Sequence, residues 1–171
     1  MRLHALVGPS FWRDDMPFRW QTSASLADSS DWEMVRYLTV LADFEHKHHA
    51  LDEAASVQTA KLDLTLLWMA RLLPAQMPPA GEVMMGLESV TWISMHAIAE
   101  QQTGQVQFCL SQQFPLLLQL PVQVTSCREC GGAYQMTARW TGLSEELLDL
   151  LEKTVFRYHR RQISSLRESQ C

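Results

Sequence analysis

The chain of 171 residues contains little glycine and little proline, with seven residues of each. So few glycines leave no Gly-rich loop to hold a phosphate. A nucleophile elbow and paired metal-binding carboxylates are missing as well, so we expect neither catalysis nor a cofactor. No run of about 18 apolar residues occurs, which predicts that no segment spans a membrane. The formal net charge of -5 offers no general attraction to nucleic acid polymers.

Cysteine is scarce too, with only Cys109, Cys127, Cys130 and Cys171. No secretory signal precedes them, which predicts a cytoplasmic protein with reduced thiols. Cys127 and Cys130 form a CxxC pair in a predicted hairpin turn. Because a structural zinc site needs four ligands and no second pair follows, we expect no metal site. A zinc-responsive or redox-responsive module through Cys127 and Cys130 is an alternative.

The first segment, residues 1–30, is predicted to be an irregular arm, because Gly8, Pro9 and Pro17 interrupt regular structure. Large aromatic side chains rarely stay in solvent, so we expect those of the arm to pack on the body of the protein or on a neighbouring subunit. These aromatic residues are Phe11, Trp12, Phe18 and Trp20.

Residues 31–73 contain neither glycine nor proline; Asp31 can cap a helix there, and Pro74 ends it. As one helix this segment would span roughly 64 Å. A repeat of about 3.5 residues is typical of coiled coils and predicts an oligomerisation seam. The alternative is a helical hairpin that breaks near residues 46–49. The seam consists of Met34, Tyr37, Leu41, Phe44, His48, Leu51, Ala55, Gln58, Leu62, Thr65, Met69 and Leu72.

After a linker at 74–81 the apolar period changes from 3.5 to 2, which is typical of strands. Several short alternating strands predict a small antiparallel sheet or barrel within residues 82–171. The chain then ends in a helix that begins near Ser144 and extends to about Arg167. The predicted strands lie near residues 82–88, 93–100, 105–110, 118–124 and 134–140.

The segments LLLQLPVQV (116–124) and YQMTARWTGLSEELLDLLEKTVFRYHRRQ (134–162) resemble the second half of a PilZ domain. Together with the upstream heptad helix they resemble the atypical, tetramer-forming branch of that family. The resemblance implies an α+β fold, with a six-stranded antiparallel barrel, a long N-terminal coiled-coil helix and a C-terminal helix. It also implies a bacterial homo-oligomer, preferably a tetramer, that acts in cyclic di-GMP signalling of motility, type IV pili, biofilm or virulence. Its partner would be an unidentified signalling or pilus-related protein.

Family members hold cyclic di-GMP through RxxxR before the first barrel strand and [D/N]xSxxG at the end of an early strand. Here the segment 69–82 contains a single arginine, Arg71. In the second motif Ser94 matches, but Trp92 replaces the acidic or amide residue and Ala97 replaces the glycine. Without paired guanidinium groups for the phosphates, we expect the usual site to be lost. The sequence then predicts a non-enzymatic oligomeric adaptor.

The alternative is a true cyclic di-GMP receptor with a non-standard site. Arg157, Arg160 and Arg161 form a basic, aromatic-flanked patch on the C-terminal helix, suited to a phosphate-bearing ligand or an acidic partner. These cations could equally serve the helix C-terminus and solvent.

Overall fold

The computed structural model describes residues 12–22, 31–47, 77–111 and 116–168. Within these ranges all strand pairs are antiparallel, and the order β1-β2-β3-β6-β5-β4 forms a closed barrel. This confirms the predicted six-stranded antiparallel barrel with a C-terminal helix. The elements are β1 (Trp12–Thr22), α1 (Asp31–Lys47), β2 (Ala80–Met85), β3 (Ser89–Ser94), β4 (Thr103–Phe108), β5 (Leu118–Cys130), β6 (Ala133–Trp140) and α2 (Glu145–Glu168).

The barrel interior is filled by the inward half of each alternating strand. Val83, Val106, Leu120 and Ala138 are fully buried in one continuous core. This is why the period of two in the sequence identifies these strands: every second side chain points into the barrel. No helix in the described ranges is long and apolar enough to cross a membrane.

The first strand, β1, lies inside the segment 1–30 that the sequence predicted to be irregular, so that prediction is wrong for residues 12–22. β1 pairs with β2 up to Pro17 and with β4 from Phe18 onward. Proline offers no N–H to a sheet, but here it lies where the strand changes partner. Its carbonyl still accepts the Cys109 N–H at 3.1 Å. β1 thereby joins β2 to β4 and closes the barrel.

The aromatic side chains of this segment pack on the body of the protein, as predicted. Trp12 stacks on Tyr158 of α2, with ring centroids 4.4 Å apart. Phe18 and Trp20 both contact a tryptophan of β3. Phe11 lies outside the described residues.

The positions of β2 and β3 differ from the sequence prediction. The strand expected at 93–100 is found at Ser89–Ser94, because the side chains that point inward are Val90 and Trp92. The linker expected at 74–81 ends earlier, because β2 already begins at Ala80, where its pairing with β1 starts.

The β5–β6 hairpin turns at two glycines. Gly131 and Gly132 have φ values of 60° and 84°, so both occupy the left-handed region that a two-residue type I′ turn requires. β5 therefore continues to Cys130, further than the apolar alternation alone indicates. Cys127 and Cys130, expected within the turn, lie in the strand before it.

The two helices begin side by side. Oδ2 of Asp31 accepts the backbone N–H of Ser144 at 3.0 Å, and the Ser144 hydroxyl accepts the N–H of Leu147 at 3.3 Å. Ser144 is thus the N-cap of α2, as predicted. The remainder of the predicted long helix, and the alternative hairpin, concern residues beyond Lys47 that lie outside the described part of the chain.

Replacing Asp31 with alanine is expected to lower the free energy of unfolding by about 1–2 kcal/mol, because the carboxylate at the start of both helices is lost. Denaturant unfolding would measure the loss. Glu33→Ala removes an acidic side chain from the same first turn of α1, and we expect it to cost only about 0.5 kcal/mol. Equal losses in the two variants would contradict a special role for the Asp31–Ser144 contact.

Gly104→Ala is expected to destabilise the barrel by about 1–3 kcal/mol. A Cβ at Gly104 of β4 would overlap the Trp20 ring and the Gln21 carbonyl oxygen, so β1 would have to move. Gly81→Ala is a matched control, because a Cβ there meets nothing within 4 Å. Denaturant unfolding would show the loss of stability in Gly104→Ala. Near-ultraviolet circular dichroism should show that the tryptophan signal of Gly81→Ala equals that of the wild-type chain. A neutral Gly104→Ala would argue against this packing.

Candidate functional site

The degenerate ligand motif lies at the end of β3, and its first position is inside the barrel. Trp92 is only 3% exposed. Its ring stacks on Trp20 at a centroid distance of 5.7 Å and lies tilted against Phe18 at 5.4 Å. The indole occupies the position where the family motif has an acidic or amide side chain, and it cannot reach a ligand outside the barrel.

Ser94, the position that matches the motif, is engaged locally. Its hydroxyl donates to the carbonyl of His96 at 2.6 Å and accepts the His96 N–H at 3.1 Å. Ala97 lies exposed in the loop that follows. Arg71 lies outside the described residues. The structure thus gives the motif a short polar turn rather than a set of converging ligand groups.

The basic patch on α2 divides into two groups. Arg157 and Arg161, one helical turn apart, both lie over the Tyr158 ring, at 5.9 and 5.5 Å from its centroid. Arg160 instead lies 6.0 Å over Phe156. The three predicted residues therefore do not converge on one point.

The part of α2 that carries this patch is fixed to the barrel. The Tyr158 hydroxyl donates to the Leu110 carbonyl at 3.5 Å, and Gln162 Nε2 donates to the Arg13 carbonyl at 2.7 Å. The arginines are thus presented on a rigid support, with Arg160 and Arg161 exposed.

The start of the predicted seam packs within the same chain. Met34 and Leu41 are 3% and 1% exposed, and Tyr37 is half-buried. α1 contacts α2, and Met34 belongs to the same core as the barrel. Leu38, which the heptad count leaves out of the seam, is equally buried. The same periodicity describes a helix that packs on its own domain, so the pattern did not distinguish these uses.

In the rest of the seam, the side chain of Phe44 and the residues from His48 onward lie outside the described part of the chain. These later seam positions are Leu51, Ala55, Gln58, Leu62, Thr65, Met69 and Leu72.

Cys127 and Cys130, the residues of the zinc or redox alternative, are separated along β5. Cys127 and Cys130 are three residues apart in one strand, which places their Cα atoms about 10 Å apart, beyond disulfide range. Burial raises the pKa of the Cys109 thiol, so this thiol stays protonated at neutral pH. Among the described residues, no group of three or more His, Cys, Asp or Glu side chains is placed to hold a metal ion.

Phe156 and Glu152 are not among the site residues predicted from the sequence. Both are exposed on α2, and the Phe156 side chain retains 51% of its surface. Their spacing of four residues, continued to Arg160, is the signal that marks one helix face.

Comparison with known proteins identifies the family. The model of the atypical PilZ domain, described as a cyclic di-GMP receptor, matches residues 36–168. A solved pathogenic protein from Xanthomonas campestris, a tetrameric PilZ domain self-assembled through an unusual helical bundle, is 27% identical, with a TM-score of 0.80 and 93% of each chain covered. The Bacillus subtilis inhibitor of motility (MotI/DgrA) has a TM-score of 0.41 at 9% identity, over 50% of this chain and 42% of its own. The search of curated proteins gave no match. The chain therefore belongs to the atypical PilZ domain family.

Proposed function

We propose that this chain is a non-enzymatic, oligomeric adaptor in bacterial cyclic di-GMP-related signalling, without the usual dinucleotide site. The observation that carries this proposal is the burial of Trp92 at the first motif position. A ligand with two phosphates needs arginine forks and exposed polar groups around it. At the motif it would meet a buried indole and a serine that is already bonded to His96.

Assembly is the second part of the proposal. The Xanthomonas relative assembles as a tetramer through a helical bundle. The heptad pattern of residues 31–73 supports the same architecture here, with a tetramer as the favoured state. Because Met34 and Leu41 are buried within their own chain, we place the contact between copies from Phe44 onward. Several barrels in one particle would strengthen weak contacts with a signalling or pilus-related partner by raising the effective concentration.

Calorimetric titration with cyclic di-GMP tests the missing site. We expect no binding in the micromolar range to the wild-type chain. Micromolar affinity that survives removal of the arginines of α2 but falls with Ser94→Ala would refute the proposal, because it would place the ligand at the motif.

Light scattering tests the assembly. Leu51→Asp and Phe44→Asp place charges in the seam and are expected to reduce the particle mass while the barrel stays folded. Ala60→Asp introduces the same side chain at a heptad position opposite the seam, and we expect the full mass to be kept. An unchanged mass in both seam variants would end this part of the proposal.

A receptor with a non-standard site is a second candidate, favoured by the description of the family as a cyclic di-GMP receptor. Arg157 and Arg161 flank the Tyr158 ring, and such arginine–aromatic pairs can stack on bases and bind phosphates. Micromolar binding that Arg157→Ala and Arg161→Ala abolish, but Arg36→Ala on α1 leaves intact, would favour the receptor over the adaptor.

A further inference from the structure

One face of α2 is exposed along the whole helix, opposite the buried stripe of Leu147, Leu151 and Val155. Its residues follow one another at intervals of three or four, so they lie on one side of the helix. We refer to this side as the α2 outer face. It consists of Glu145, Asp149, Glu152, Phe156, Arg160, Ile163 and Arg167.

The charges on this face are ordered. Glu145 and Glu152 lie before Phe156, whereas Arg160 and Arg167 follow it. Phe156 lies at the centre, 51% exposed, with the Arg160 guanidinium 6.0 Å over its ring. Two large apolar side chains, Phe156 and the 37% exposed Ile163, thus lie among ordered charges, a combination that a surface of complementary charge order can cover.

Two copies of this face are complementary in charge when the helices lie antiparallel. If a second copy of α2 lies antiparallel, with the two Phe156 rings opposite each other, Glu152 meets the second copy's Arg160 and Glu145 meets the second copy's Arg167. The two-fold symmetry repeats each of these pairs. A parallel arrangement would instead place like charges together.

In this register Asp149 would lie opposite Ile163 of the second copy, which is unfavourable for a carboxylate without a counter-charge. However, its carboxylate is bonded within the helix to Lys153 Nζ at 2.6 Å. The charge of Asp149 is therefore balanced inside its own chain.

We propose that the α2 outer face binds a second copy of this chain as an antiparallel, two-fold pair centred on Phe156. The charge order is the reason to prefer this occupant. An acidic partner protein would use only the basic half and would be repelled by Glu145 and Glu152. This contact goes beyond the proposed function and does not involve residues 31–73. Exposed ion pairs contribute little each, so we expect a weak contact that cooperates with another interface.

Charge reversal tests the register. Glu152→Arg and Arg160→Glu each place like charges opposite each other twice, and each should weaken this association about tenfold. The double variant restores both pairs and should recover the wild-type affinity. The two residues lie about 12 Å apart along one helix and cannot contact each other within a chain, so recovery can only come from a second copy. Sedimentation equilibrium of the full chain at low salt gives the affinities.

The pattern of these three affinities decides the proposal. Weakening by Arg160→Glu alone, or a double variant that does not recover, would overturn it, because neither result fits reciprocal pairing of Glu152 with the second copy's Arg160. Three affinities equal to that of the wild-type chain would overturn it as well.

A disulfide trap tests the centre of the contact. Under a mild added oxidant, Phe156→Cys should give a covalent dimer linked through the introduced thiols, as located by peptide mass mapping. Thr39→Cys, exposed on α1, should give none. We expect the trap to work also in the Leu51→Asp background, at higher protein concentration, which separates this contact from the seam. No dimer linked at position 156 in either background would overturn the proposal.

Discussion

Trp92→Asn is expected to unfold the barrel rather than restore a dinucleotide site. The substitution returns an amide to the first motif position, but that position is 3% exposed and packed against Trp20 and Phe18. Removing a buried tryptophan side chain costs about 3–5 kcal/mol. A buried amide without partners adds about 1–3 kcal/mol. The sum, about 4–8 kcal/mol, equals the whole stability of a domain in the lower half of the usual range of about 5–15 kcal/mol. Denaturant unfolding and calorimetry with cyclic di-GMP would measure the two consequences.

Two control variants distinguish the effect of burial at position 92 from the effect of replacing tryptophan with asparagine. Trp32→Asn makes the same substitution on a side chain that is 60% exposed, and we expect a loss below about 1 kcal/mol. Trp92→Phe keeps an aromatic ring in the cluster and should retain the fold with a smaller loss. A folded Trp92→Asn chain that binds the dinucleotide would show that the motif position still belongs to a working site.

The strands β2, β4, β5 and β6 could be predicted from the sequence because apolar side chains recur at every second position, whereas β3 was expected at 93–100 and lies at Ser89–Ser94. In β5, for example, Leu120 and Val122 are fully buried, whereas the alternating Pro121 and Gln123 keep part of their surface exposed. The N-cap at Ser144 was equally predictable, because capping is a local interaction between neighbours in sequence.

The strand β1 could not be predicted in this way. It changes partner at Pro17, from β2 to β4, and no regular alternation of burial runs along it. Its pairing is with strands more than sixty residues away in sequence, for example Arg19 with Gln107. The Arg19 guanidinium donates to Gln107 Oε1 at 3.0 Å from Nε. Such long-range pairs leave no local pattern that a sequence window detects.

The candidate ligand site could likewise be predicted only in part, because its contacts are long-range in sequence. The sequence showed that Trp92 departs from the family motif, but the partners that make this departure structural, Phe18 and Trp20, come from β1. The burial of the motif position and the closure of the barrel are therefore linked. One aromatic cluster occupies the motif position and holds the first strand in place.

Leu38→Ala is expected to lower the free energy of unfolding by about 2–5 kcal/mol. Leu38 is 1% exposed and lies in the core that α1 shares with α2 and the barrel. Val40→Ala is the matched control, since Val40 lies on the same helix but is 47% exposed, and we expect a loss below about 1 kcal/mol.

Thermal or denaturant unfolding would measure both variants, and light scattering below the transition would follow the particle mass. Because Leu38 packs inside one chain, its loss should reduce stability while leaving the assembly of the folded protein unchanged. The seam variant Leu51→Asp should do the opposite, reducing the mass with the barrel intact. A dissociated but equally stable Leu38→Ala protein would mean that this face of α1 meets another copy, and that the bundle begins at the first turn of α1 instead of beyond Leu41.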